Sequence, residues 1–231
     1  MRLGAIAPRL AGLALLAALP ALAAGDAAAG IVVWDFDNQT APGASTLGSG
    51  QLDYLQRALS ESVTAALLEA PGFVVVERQR LKDVLAEQKL GASDLADPDT
   101  RIRLGRIAGA GRMVFGGFFA LGDMVQVNLR VIDAATSRVL FSDEMASPAD
   151  AVMQQVQAVN RRLVRTLGGA GGAGREYPRA LWQAYDAALA LSDAGRYDQA
   201  VEALQRLLAK NNDFTPAERQ LVALLDKMKR R

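Results

Sequence analysis

The chain has 231 residues, with 26 Lys and Arg against 25 Asp and Glu, and it contains neither histidine nor cysteine. Disulfides, a thiolate nucleophile and a serine–histidine dyad are therefore excluded, and a zinc site is disfavoured because such sites draw on imidazole or thiolate ligands. The near-neutral balance removes the electrostatic case for nucleic acid, whose binding proteins carry clustered positive charge, so no nucleic-acid partner is expected.

Arg2 and Arg9 precede an apolar run over residues 10–19, and Pro20 with the small residues Ala21 and Ala23 follows. That pattern predicts a secretory signal peptide over residues 1–23, cleaved after Ala23 or, one residue on, after Ala24. The run falls short of the about 20 residues that span a bilayer, so no membrane-spanning segment is expected after cleavage. Without a cysteine behind the cleavage site, anchoring by a lipidated cysteine is excluded as well. The expected location is the periplasm, and peripheral association with the outer membrane stays open. Cleavage removes two arginines and no acid, which takes the formal charge from +1 to −1. About 208 residues then remain, enough for one good core and a small second unit.

Residues 30–37, Gly-Ile-Val-Val-Trp-Asp-Phe-Asp, predict a first strand, followed by a loop rich in Gly, Ser, Thr and Pro over residues 38–50. Leu52, Leu55, Leu59, Val63, Ala66 and Leu67 keep helical spacing up to the break at Pro71 and Gly72. The short β-branched and aromatic run over residues 73–76 predicts a strand buried on both faces. It turns straight into an amphipathic helix to Leu90 whose inward stripe is Leu81, Val84 and Leu85. A polar loop over residues 91–98 leads to a short helix over residues 99–108, with Ile102, Leu104 and Ile107 as its expected buried side chains. The period then switches, and residues 113–121, 124–133 and 138–146 predict antiparallel strands. Gly122 and Asp123 supply the two-residue turn between the first pair, glycine taking the positive φ that a type II′ turn needs. Ser147 as cap and Pro148 at the first helical position predict the start of a long helix with Val152, Met153, Val156, Val159, Leu163, Val164 and Leu167 on one face.

Residues 168–174, five glycines and two alanines, offer nothing to pack and maximal backbone freedom, which predicts a flexible linker over residues 168–178 and a domain boundary. Beyond it an α-hairpin over residues 179–231 is expected, with Leu181, Ala184, Ala187, Ala188 and Leu191 facing Tyr197, Ala200, Leu204 and Leu207 across a turn at Gly195, and a third helix over residues 216–229. The spacing of Gly195, Tyr197, Ala200 and Leu204 resembles the second half of a tetratricopeptide repeat, although stability in that architecture takes about three repeats and an ordinary helical hairpin accounts for it equally well. The fold class is therefore α/β, a mixed sheet of about five strands with helices packed on it, followed by a small all-α hairpin domain.

Asp35 and Asp37 close the first strand and carry the strongest enzymatic signal, because they imitate the Asp-x-Asp of haloacid dehalogenase phosphatases, whose carboxylates attack phosphate and hold magnesium. The motif's fifth position is Gln39 rather than Thr or Val, and no later Gly-Asp-x-x-x-Asp completes it. The preferred expectation is that both residues cap a loop about a buried Phe36. A magnesium-dependent phosphatase stands as the enzymatic alternative. Gly109 to Gly111 follow a helix and precede a strand, the reverse of a phosphate-cradling loop, so they predict helix termination, while Gly116 and Gly117 predict a bulge or a close backbone approach. No catalytic residue, cofactor or metal is assigned. Glu77 and Arg78 at the strand-to-helix junction and Trp182, Tyr185 and Tyr197 on the C-terminal hairpin are candidate interface residues, with core packing the competing role for the aromatics. Lys227, Lys229, Arg230 and Arg231 favour a helix C-terminus.

Taken in order, strand, helix, strand, helix, helix, three strands, helix, residues 30–167 resemble the soluble domain of the curli secretion channel (CsgG) family. The likeness runs through residues 75–88, with Glu77, Arg78, Leu81, Glu87 and Gln88 at the positions of the family's Glu-Arg-x-x-Leu…Glu-Gln helix, through residues 104–117, and through the strand pair over residues 127–140. It covers roughly 60% of the chain as an alignment of elements. The family's pore-forming members insert long amphipathic hairpins, and this chain has no room for them, since Gly122 and Asp123 join two strands directly. The resemblance thus implies a non-enzymatic envelope assembly or accessory protein that works by contact with itself, as a possible homo-oligomer, or with an envelope protein. Related domains in activators of cell-wall synthases keep a docking role open beside it.

Overall fold

A computed structural model describes residues 30–230 apart from 49, 89–94, 96 and 173, so the expected signal peptide and most of the loop before residue 98 lie outside the described residues. The elements in chain order are β1 (Gly30–Val33), β2 (Asp37–Asn38), α1 (Leu55–Glu69), α2 (Arg78–Glu87), α3 (Pro98–Ile107), β3 (Ala110–Leu121), β4 (Met124–Asp133), β5 (Val139–Pro148), α4 (Val152–Thr166), α5 (Arg179–Asp193), α6 (Tyr197–Lys210) and α7 (Thr215–Lys229). The five strands form one mixed sheet in the order β1-β3-β4-β5, with β2 also on β3. β1 and β2 run parallel to β3, and β3, β4 and β5 form an antiparallel meander whose first turn is Gly122 at φ 62. This is the expected class, a five-stranded mixed sheet carrying helices and followed by three more.

Side chains that alternate along the strands build two cores of unequal size. Ile31, Val114, Phe118, Val125, Val127 and Leu129 point to the face covered by α1 and α4, and the same cluster continues without a break into α5, α6 and α7. Val32, Trp34, Met113, Phe115 and Ile132 point to the other face, where Leu81 and Val84 of α2 and Leu104 of α3 close over them. The expected first strand is split in two. Phe36 leaves the ladder, its N–H donating to the carbonyl of Gln56 at 2.9 Å, and its ring lies across Gly116, where a Cβ would come within 2.1 Å of a ring carbon. Gly116 is therefore the close approach the sequence announces, with an aromatic ring as the partner.

Four expectations are corrected. Residues 73–76 are an edge and not a strand buried on both faces. They meet β1 through one bridge at Val75, with the Ile31 N–H on the Val74 carbonyl at 2.7 Å and the Val76 N–H on the Ile31 carbonyl at 2.8 Å, and Val74 is 54% exposed. Nothing pairs beyond this edge among the described residues, so only half of each residue's surroundings is protein. Ile107 is 49% exposed, because α3 turns the face of Leu104 and Gly105 to Met113 instead. Ser147 and Pro148 end β5 and do not start α4: Ser147 is buried opposite Val125, and the helix begins at Val152 after Ala151. The ladder with β4 outcompetes the local capping signal. On α5 the buried stripe is Leu181, Trp182, Tyr185, Ala188, Leu189 and Ser192, which leaves Ala184 and Ala187 exposed. The larger rings take the interior, where burial returns more free energy than alanine can.

Residues 168–172 and 174 lie along α1 and α4. The Gly169 N–H donates to the Val164 carbonyl at 2.9 Å and the Gly174 N–H to the Glu69 carboxylate at 3.1 Å, and a Cβ on Gly172 would sit 2.3 Å from the Ala66 carbonyl. Here glycine allows a close fit of backbone against a helix as well as conformational freedom.

Candidate functional site

Three helix faces bring charge to one junction beside the end of β1. On α1, Arg57, Ser60 and Glu61 fall at i, i+3 and i+4; on α2, Arg78 and Lys82 are four apart; on α5, Asp186 and Asp193 are two turns apart. Arg78 donates to Asp35 at 3.0 Å and reaches Asp193 at 3.4 Å, while Ser60 donates to the other Asp35 oxygen at 3.3 Å. Arg57 holds Asp186 at 2.6 Å and Asp193 at 3.0 Å, and Lys82 also pairs with Asp193. Arg219 on α7 meets Glu61 at 3.0 Å, and Lys227 meets Asp83 at 3.1 Å. These pairs join the sheet layer to the C-terminal helices.

The electrostatics follow the packing. Burial pushes the Asp35 carboxyl up, but Arg78, Arg57 and Lys82 together pull it below the ordinary carboxylate range. Burial raises Glu61 despite Arg219 and Arg78. Burial and then the charge of Arg78 depress the Lys82 ammonium to about 7. Three cations converge on Asp193, and the flexible, strongly hydrated lysine is the one that yields its proton most easily. Burial, followed by the Glu61 charge, raises the Tyr185 phenol well above its usual value, so it stays protonated.

Asp37 belongs to a different contact. Arg101 of α3 grips it through both guanidinium nitrogens at 2.9 and 3.0 Å. Asp35 and Asp37 thus bind separate arginines on separate helices and do not form a joint site, and no group of acidic residues able to hold a metal ion occurs among the described residues. They do bracket a buried Phe36, as the sequence expectation has it.

Of the candidate interface residues, Arg78 lies at the centre of the junction and Glu77 is exposed beside it. Trp182 and Tyr185 are 2% and 1% exposed and form an edge-to-face cluster with Tyr177 and Phe214, so core packing accounts for them. Tyr197 is half-buried beneath the Lys227 ammonium, 5.7 Å from its ring centre. Sequence reasoning missed Arg57, Glu61, Lys82, Asp193 and Arg219. One signal was present: Ser60, Glu61 and Ser62 stand between the buried Leu59 and Val63 of α1, and buried polar groups require partners.

Next to the junction a cleft of about 1210 Å³ opens between α1, α2 and α7. The architecture to this point is a helix-covered mixed sheet with a charged seam to a trailing helical unit. Residues 16–125 match the family described as curli production assembly/transport component CsgG. Among curated proteins none matches. The solved structures it is similar to include the LpoB C-terminal domain from Salmonella enterica, at 17% identity over 54% of this chain and 87% of that one with TM-score 0.41. Lipoprotein GNA1162 from Neisseria meningitidis is 18% identical over 60% of this chain and 99% of that one, with TM-score 0.42. A PelC dodecamer from Paraburkholderia phytofirmans is 12% identical over 64% and 89%, with TM-score 0.34. No helix among the described residues is long and apolar enough to cross a membrane.

Proposed function

We propose that this protein is a non-enzymatic accessory factor of the bacterial envelope, exported to the periplasm, which acts by binding an envelope protein or a further copy of itself. Its CsgG-like layer over residues 30–167 provides the rigid frame, and the helices over residues 179–231 extend the contact surface. The observation that carries this reading is the use of its charged groups: the carboxylate the sequence marks for chemistry, Asp35, is held by Arg78 and Ser60 within a network that ties helices together. A nucleophile in a phosphatase needs a free approach and a shared metal with its neighbour, whereas Asp37 turns to Arg101. A role in curli secretion is the narrower form of the same reading and follows from the family match. Site-specific photo-crosslinking in cells, with the probe at exposed positions such as Val139 and Val222, tests it. Discrete protein adducts are expected, and a complete lack of adducts from every exposed position contradicts the reading.

A further inference from the structure

β5 ends the sheet, and among the described residues nothing pairs with its outer side, so a ten-residue edge lies open where the opposite edge offers one bridge at Val75. Such an edge carries a row of unmade backbone hydrogen bonds and attracts further strands. The ladder tells which groups form the row. The Ala149 N–H donates to the Asp123 carbonyl at 3.0 Å, and bonding alternates from there, so Phe141, Asp143, Met145 and Ser147 turn their backbone groups to β4, while Ser142, Glu144 and Ala146 turn theirs outward. The middle donor of the three is already engaged. One carboxylate oxygen of Asp143 accepts the Glu144 N–H at 2.9 Å, and the other is held by the Arg162 guanidinium of α4 at 2.5 Å. Bonds of this charged kind are the strong ones.

We infer that Asp143, held by Arg162, closes the β5 edge against strand pairing with a second copy of this chain. The antiparallel register that pairs all three outward residues is centred on Glu144, with Ser142 of one copy facing Ala146 of the other. Forming it takes the Glu144 N–H from the Asp143 carboxylate and sets the two Glu144 side chains directly opposite each other, where like charges are destabilising. A register that slides toward the end of the strand meets Pro148, which has no N–H to give. The inference reaches past the function proposed above: if copies of this chain do meet, they meet through a surface other than a continued sheet.

Amide hydrogen exchange followed by NMR on the mature full chain tests the closure without any substitution. Corrected for intrinsic rates, the Glu144 N–H is expected to exchange about tenfold more slowly than those of Ser142 and Ala146, and Asp143→Ala is expected to erase the difference. Size-exclusion chromatography with light scattering tests the consequence. Asp143→Ala combined with Glu144→Thr is expected to self-associate at least about tenfold more tightly than the wild type, with exchange slowed across positions 142–146 in the assembly. Adding Ala146→Pro, which deletes an outward N–H and leaves the bonds to β4 in place, is expected to abolish that gain. Asp143 and Glu144 are not buried, so the double variant keeps the fold, which a melting curve verifies. Equal exchange at the three positions of the wild type overturns the proposal, whatever the variants do. So does a double variant that melts like the wild type without any gain in association, or a gain that survives Ala146→Pro.

Discussion

The two faces of the sheet are built to different standards. On the α1 and α4 face every inward residue of β4, Val125, Val127, Leu129 and Val131, is buried, and the same core runs on through Trp182 and Tyr185 into the C-terminal helices. On the other face α2 and α3 cover only β1, the first part of β3 and the end of β4. Phe119, Leu121 and Met124 stay 37%, 69% and 39% exposed, and Asn128 and Arg130 meet water. The helical unit thus behaves as an extension of the larger core, while the smaller face shows how much sheet a frame can leave bare when polar side chains alternate with apolar ones.

The sharpest test of that difference is truncation of the shared core. Trp182→Ala, at the seam of the aromatic cluster, is expected to cost about 3–5 kcal/mol and to lower the melting of the whole chain in one transition. Two separate transitions in denaturant would show that the helices are an independent unit. Gly116→Val comes next, because the added branches drive into the Phe36 ring, and overpacking of this kind costs about 1–3 kcal/mol by chemical denaturation. Arg57→Ala strips Asp186 and Asp193 of a shared partner at a partly exposed position, for an expected loss of about 1–2 kcal/mol in the same assay. On the bare face, Leu121→Ser is expected to stay within about 0.5 kcal/mol of wild type.

Lys82 gives the seam a pH signature. Its proton leaves the folded state at about 7, whereas the unfolded chain keeps it into the ordinary lysine range. Between those values the unfolded state binds more protons, so stability rises with pH, by at most about 1.4 kcal/mol per pH unit. Below that window both states are protonated and the folded state bears the full cost of the buried charge. Lys82→Met, which leaves Arg57 and Arg78 on Asp193, is therefore expected to flatten the rise in denaturation midpoints above neutral pH and to stabilise the protein at about pH 6.5.

Elements with a strong period were legible in the sequence, and elements fixed by their neighbours were not. β4 and α4 carry their faces openly in Val125 to Val131 and in Val152 to Val164. Residues 73–76 read as a buried strand because β-branched residues alone cannot reveal whether a second neighbour exists. The Ser147 and Pro148 capping signal is real chemistry that the ladder to Val125 overrides. Arg78 was legible as a contact residue, but its partners lie 43 and 115 positions away, and no local pattern encodes such pairs. The face of α5 was misjudged because alanines at helical spacing look like a packing stripe until the rings beside them claim the interior.

Hydrolysis of a generic phosphate ester with magnesium present, compared between the wild type and Asp35→Asn, tests most directly whether this carboxylate is a strut or a nucleophile. A strut predicts no turnover above background from either protein, together with a lower melting temperature for the variant as Arg78 loses its charged partner. Magnesium-dependent turnover by the wild type that the variant abolishes would contradict the account.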